Sequence, residues 1–278
     1  MKIGLLLLFL ISCSSTQNKK PYTPYKVSLK PGEVKLVSFK VPKANPLGKV
    51  YCNNQEIPYV EKDGKMIIFL AESYFSKLKP FSCNYLEKKT QVHLANINVV
   101  EKKFPFEKLN VDKKKVFYSK KDLKRIIRES EKLKIVYGGS KKDLFQGPFE
   151  LPLRSKVTSI YGTKRLFNNN KKSQHLGTDY RAKVGTPIRV SNGGKVALAE
   201  DLFFTGNTVI IDHGLGVFTM YGHLSKISVK VGEHVTNDRV VGLSGMTGRV
   251  TGPHLHWGVK VHGHWVDGNS LVLETEKL

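Results

Sequence analysis

Between Val27 and about Glu107 the chain alternates apolar and polar residues in short runs. These lie at Val27 to Leu29, Val34 to Val41, Met66 to Leu70 and Val92 to Val100, with Pro, Gly and Asn between them. Strand side chains point to opposite faces in turn, so such runs predict half-buried strands, and their rhythm predicts a small antiparallel sandwich. The period changes at Ser119. Leu123, Ile126 and Ile127 form a short apolar stripe at helical spacing, behind a Ser119-Lys-Lys-Asp122 cap with its acid in the first turn. One helix is predicted there, ending near Leu133 to Tyr137 before Gly138-Gly139 and packing against one of the domains. Beyond Phe145-Gln-Gly-Pro-Phe-Glu-Leu-Pro152, dense Gly, Val and Ile alternation runs to Val272 without a helical period. That predicts an almost entirely antiparallel β unit with a groove across one sheet, walled by a loop over 166–174. The whole reads as all-β: an amino-terminal β-domain over 27–110, a linker with a helix over 111–143, and a second β-domain over 144–278.

The amino terminus adds a destination. Met1-Lys2-Ile3 precedes an apolar run from Gly4 to Ile11 and then Ser12-Cys13-Ser14. The run is far short of the ~20 residues a spanning helix needs, and reads as a secretion signal. Leu10-Ile-Ser-Cys13 resembles the lipobox of bacterial lipoproteins, in which the cysteine is lipidated and becomes the first mature residue. An ordinary signal peptide with an incidental Cys13 is the alternative. Residues 14–26 are polar with two prolines and read as a tether. The expected location is the periplasmic face of the outer membrane in a diderm host, otherwise the outer face of the cell membrane, with the membrane a partner through Cys13. In that oxidising compartment Cys52 and Cys83 are an even pair suited to a disulfide; two part-buried thiols are the alternative.

Composition changes the picture less. With 278 residues, 40% of them hydrophobic, there is material for two cores. The formal net charge of +23 implies attraction to an anionic partner without naming it. Wall polymers, anionic headgroups and lipopolysaccharide phosphates suit an exported chain. Nucleic acid does not, since no binding motif for it is present. Lysines such as Lys113 to Lys115 also fit a simple solvated face.

Chemistry is concentrated in the last third, at His175-Leu-Gly-Thr-Asp179, Tyr221-Gly-His223 and Gly-Pro-His254-Leu-His256-Trp. His254 and His256 point to the same face of a strand. Two imidazoles and a carboxylate around zinc, with water in the fourth position, is a set typical of hydrolytic zinc enzymes. From about Gly147 to Leu273 the chain resembles the lysostaphin-type zinc endopeptidases, which cut peptide cross-links of bacterial cell walls. The likeness runs through Val157-Thr-Ser-Ile-Tyr-Gly-Thr-Lys-Arg165, Gly185-Thr-Pro-Ile, Gly206-Asn-Thr-Val-Ile-Ile-Asp-His-Gly214 and Gly245-Met-Thr-Gly-Arg-Val-Thr-Gly-Pro-His-Leu-His256. It also resembles a lipoprotein subgroup with an amino-terminal β-domain, including Lys103-Phe-Pro-Phe-Glu-Lys-Leu109.

The resemblance implies one Zn2+ per catalytic domain, held by His175, Asp179 and His256. It implies His223 and His254 as the non-ligand histidines flanking the attacking water and the scissile carbonyl. The expected substrate is peptidoglycan peptide stems. Gly258 departs from relatives that carry an acid there, which concerns support of the site rather than the ligand set. Tyr161 and Tyr180 lie near the motifs without an assigned role. His213 is expected to close a turn, His262-Gly-His264 to sit on a solvated hairpin tip, and His93 and His234 on the surface. The competing function is a catalytically inactive scaffold that binds and activates a cell-wall amidase.

Overall fold

The computed structural model describes residues 23–40, 48–88, 90–109 and 118–278. The expected signal segment, Cys13 and most of the expected tether lie outside the described residues. The amino-terminal unit contains β1 (Tyr25–Leu29), β2 (Val34–Lys40), β3 (Lys49–Cys52), β4 (Gln55–Ile57), β5 (Val60–Lys62), β6 (Lys65–Ala71), β7 (Phe81–Glu87) and β8 (Thr90–Val99). One sheet runs β1-β8-β7-β3-β4 and the other β2-β6-β5. Pairing is antiparallel except for β1 on β8. Leu29, Phe39, Met66, Ile68 and Ile97 fill the space between the sheets, which makes the unit the predicted sandwich. Cys52 and Cys83 stand opposite each other on β3 and β7 and form a disulfide.

The run Met66-Ile-Ile-Phe-Leu-Ala71 does not alternate in polarity, and the fold explains it. Met66, Ile68 and Leu70 face the sandwich core, whereas Phe69 and Ala71, with Val34 and Leu36 beside them on β2, join the core of the second unit. A strand buried on both faces has no polar face to keep.

β9 (Phe106–Leu109) leaves the sandwich. α1 (Lys120–Val136) then begins at Ser119, whose hydroxyl accepts from the Asp122 N–H while Asp122 returns the bond to the Ser119 N–H. This capping box satisfies two donors that a helix start leaves without partners. The predicted stripe is not the packing face: Leu123 is 45% and Ile127 59% exposed. α1 instead docks through Leu133, Val136 and Tyr137 and through charged residues, since those are what face the second unit. Glu129 is buried, pairs with Arg125 and accepts from the Phe203 N–H at 2.9 Å; Arg125 reaches Asp201, and Lys132 reaches Glu200.

The second unit contains β10 (Val157–Ser159), β11 (Lys164–Phe167), β12 (Lys171–Gln174), β13 (Thr178–Arg181), β14 (Pro187–Arg189), β15 (Gly194–Leu202) and β16 (Gly206–Asp212). β17 (Val217–Ile227), β18 (His234–Val235), β19 (Val240–Ser244), β20 (His254–Val261), β21 (His264–Val266) and α2 (Gly268–Thr275) complete it. Its main sheet runs β10-β13-β20-β17-β16-β15-β18, with β19 also on β17 and β21 on β20. Val209-Ile210-Ile211 again shows two buried faces: Val209 and Ile211 enter the main core, Ile210 the layer under α1.

Three expectations change here. The 166–174 wall is a hairpin, because β11 and β12 pair antiparallel. β9, read as the end of the amino-terminal domain, pairs in parallel with β11 and extends that wall. α2 was not foreseen, since eight residues offer little periodicity. Asp267 caps it, and its Ser270 and Glu274 side chains accept the Val34 and Leu36 N–H groups at 3.0 Å each. β2 is a sheet edge, and α2 covers donors that would otherwise stay open.

Candidate active site

Strand register assembles the centre. On β13 and β20, Asp179 lies directly opposite His256 and Arg181 opposite His254; Gly222 of β17 lies opposite His256 on the other side. His175 follows β12. Its backbone is clamped to the preceding turn by its N–H on the Thr163 carbonyl and its carbonyl on the Gly162 N–H. Gly177, between His175 and Asp179, cannot carry a side chain: a Cβ there would lie 2.4 Å from Cε1 of His256.

The three residues expected as ligands converge. Nε2 of His175 is 3.0 Å from Oδ1 of Asp179 and 3.2 Å from Nδ1 of His256, which is itself 2.8 Å from the same oxygen. Nδ1 of His175 lies 3.2 Å from the Ile160 carbonyl, and that contact requires the proton on Nδ1. Nε2 then presents a lone pair to a carboxylate oxygen. Two buried acceptors this close repel unless a cation stands between them, so the donor set fits a metal ion such as zinc.

His223 and His254 lie beside this centre, ring centroids 4.7 Å apart. Each Nδ1 is 2.9 Å from a backbone carbonyl, Thr247 for His223 and Gly252 for His254. Both rings therefore carry the proton on Nδ1 and turn Nε2 outward as an acceptor; for His254 that atom is 3.7 Å from Oδ1 of Asp179. Burial, the largest cause, pushes His223 down to about 3. Its φ of 63° is in the left-handed region, a strained conformation held by its N–H on the Thr205 carbonyl.

Two further residues belong to the centre and received no role from sequence. Nη2 of Arg165, on β11, donates to Oγ of Ser159 at 2.7 Å and lies 3.6 Å from Oδ2 of Asp179. Ser159 Oγ in turn is 3.2 Å from Nδ1 of His175. Nothing in the local pattern around Arg165 marks it, because its partners come from distant segments. All of these groups open onto one groove of about 700 Å³ that also touches Glu107, Tyr118, Phe204 and Arg249.

The remaining candidates fall outside the groove. His213 is fully buried between the Gly193 carbonyl and the Thr219 hydroxyl, while Asp212 closes the turn through the Gly214 N–H. His262 is not on a solvated tip, because β6 packs over it and its Nε2 donates to the Phe69 carbonyl at 2.9 Å. His93 lies between Asn84 and Asn96, and His234 is exposed. Tyr161 is buried with its hydroxyl on the Trp265 carbonyl, and Tyr180 is buried beside Trp257. Gly258 is explained by packing: a Cβ would meet the Trp265 ring at 2.8 Å.

Residues 173–268, which contain all five histidine and aspartate positions of the site, match the profile of peptidase family M23. A crystal structure from Pseudomonas aeruginosa assigned to peptidase M23 superposes with a TM-score of 0.67 at 28% identity, covering 91% of this chain and 96% of that one. Residues 173–268 of the chain form a peptidase M23 domain. Among curated relatives, peptidoglycan DD-endopeptidase ShyA of Vibrio cholerae is 37% identical over 156 residues, 55% of this chain and 36% of the relative. The DD-carboxypeptidase/endopeptidase Mpg of Neisseria gonorrhoeae is 42% identical over 104 residues, 37% of this chain and 24% of the relative. The chain thus spans about a third or less of the length of these two relatives.

Proposed function

We propose that this M23 protein is a zinc-dependent endopeptidase that hydrolyses peptide cross-links of bacterial peptidoglycan. The observation that carries the reading is the convergence of His175, Asp179 and His256 on one point, with the outward Nε2 atoms of His223 and His254 beside it. DD-endopeptidases among the relatives support the substrate class.

His175, Asp179 and His256 would hold the ion. Bound there, zinc would lower the pKa of a water toward ~7 and polarise the scissile carbonyl. His223 and His254 supply the proton traffic. With Nδ1–H committed to a carbonyl, each Nε2 can take a proton from the attacking water and pass it to the leaving amine. Arg165 lies against Oδ2 of Asp179 and leaves Oδ1 toward the two imidazoles.

Digestion of purified sacculi followed by mass spectrometry tests the function, and shows which bond is cut. Release of cross-link-derived peptides only from zinc-loaded protein is expected. Sacculi left intact, with or without added zinc, would sink the reading and favour the amidase-activating scaffold. The reading extends to an exported lipoprotein anchored through Cys13. Cys13→Ser should leave the membrane fraction after a high-salt wash, which screens the basic surface. Unchanged sedimentation would remove the anchor.

A further inference from the structure

At the His223 end of the groove the structure holds a second arrangement of charged groups, separate from the five residues already described. Tyr118 stands just before α1. Its hydroxyl accepts from Nη1 of Arg249 at 2.8 Å and from Nζ of Lys171 at 3.1 Å. Arg249 belongs to the 245–253 segment and Lys171 to β12, so two cations from distant parts of the groove lining meet on one oxygen. Their aliphatic and π surfaces are also fixed: Lys171 Nζ lies 4.3 Å from the Tyr118 ring centre, and the Arg249 guanidinium 5.1 Å and 5.3 Å from the Tyr118 and Phe204 rings.

This is a poor match between donors and acceptor. A phenol oxygen satisfies the Arg249 guanidinium less well than a carboxylate, whose charge and fork geometry suit such a donor bidentately. Nε of Arg249 is moreover buried without a hydrogen-bond partner, and among the described residues no carboxylate forms an ion pair with this guanidinium, unlike Arg125, Arg165 and Arg239. A buried donor left unmade is costly, and it points to a group that arrives from outside. The position is coupled to the reacting centre. The Arg249 N–H is held by the Phe204 carbonyl, the neighbouring Thr205 carbonyl holds the His223 N–H, and the Thr247 carbonyl holds the His223 ring.

We infer that Arg249 and Lys171 form a carboxylate subsite that binds a free carboxylate of the peptide lying over His223 and His254, with the Tyr118 hydroxyl occupying the place of that carboxylate when no peptide is bound. The inference rests on the peptide-hydrolase reading of the groove. It makes the enzyme selective for cross-linked peptides whose carboxyl groups are free over those in which they are amidated.

Binding and cleavage are measured separately so that the two readings fail separately. Two fluorescent wall-type tetrapeptides, one with free carboxyl groups and one with carboxamides, are titrated into the zinc-loaded protein and followed by anisotropy. The free form should bind at least tenfold tighter. Arg249→Gln should erase that preference while leaving the amidated peptide within about twofold, and Tyr118→Phe should tighten the free form by removing its competitor. Arg249→Lys keeps charge and stem, so it should retain part of the preference even if Arg249→Gln folds poorly. Equal binding of both peptides to the parent protein, binding of neither, or equal weakening of both by Arg249→Gln and Arg249→Lys would overturn the subsite. Sacculi that stay undigested while the preference persists would instead defeat the hydrolase reading and leave the subsite standing.

Discussion

At the scale of single residues, the geometry separates those that would hold a metal from those that would move protons. His256→Ala or Asp179→Ala removes one of three converging donor atoms, and should abolish stoichiometric zinc by metal analysis together with wall hydrolysis. His223→Ala and His254→Ala should keep zinc and lose at least ~10² in turnover, the usual scale for a positioned acid or base. Zinc lost from His254→Ala would mean that the two β20 histidines are exchanged in role. His213 makes a different, purely structural prediction. It is fully buried and pushed down to about 4, first by burial, from an ordinary 6.5. The unfolded chain therefore binds the extra proton between those values. Stability that is complete above pH 6.5 falls as the pH drops toward 4, by about 2 kcal/mol between pH 7 and 5 for one such group. Denaturant titrations of the parent and of His213→Gln at both pH values check this; the same pH slope in both proteins would clear His213 of the effect.

At the scale of elements, what the sequence revealed depends on how far apart the partners lie. His254-Leu-His256 was legible because a strand puts alternate residues on one face, and Asp179 meets them because β13 pairs with β20. Arg165 was not legible: Glu107, Ser159 and Asp179, which surround it, come from three separate strands. His262 was misread as solvated because the strand that buries it lies far away in the sequence, at Phe69. α1 shows the same limit. Its existence and cap followed from local residues, but its packing face did not, since apolar spacing suggested Leu123 and Ile127 while β15 and its turn receive Glu129, Lys132 and Leu133. Substitution distinguishes the two faces. Glu129→Ala leaves the half-buried Phe203 N–H without its acceptor and removes one of the two carboxylates that Arg125 pairs with, and should cost about 1–3 kcal/mol. Ile127→Glu should stay within ~0.5 kcal/mol, as exposed changes do. The reverse ranking in chemical denaturation would restore the stripe as the docking face.

At the scale of the whole molecule, the two β units share a layer. The β2-β6-β5 sheet gives Phe39, Met66 and Ile68 to the sandwich core, and Val34 and Phe69 to the core of the M23 unit. α2 binds the β2 edge, Asp267 donates its N–H to the Gly32 carbonyl, Gln55 reaches the His262 carbonyl, and Tyr161 packs on Gly32. A joint built from fully buried side chains and backbone hydrogen bonds does not open like a flexible linker, because separation would expose apolar surface and strand donors at once. The units should therefore unfold together. Calorimetry of the protein should show one transition, and Phe69→Ala, which leaves a cavity at the shared layer, should lower it as a single step by about 3–5 kcal/mol at the midpoint. Zinc added to the parent should raise the same transition, since a ligand bound to one unit stabilises everything that unfolds with it. Two resolved transitions, with only the later or earlier one moved by zinc, would show that the sandwich and the M23 unit are thermodynamically independent and that the shared layer is only a contact.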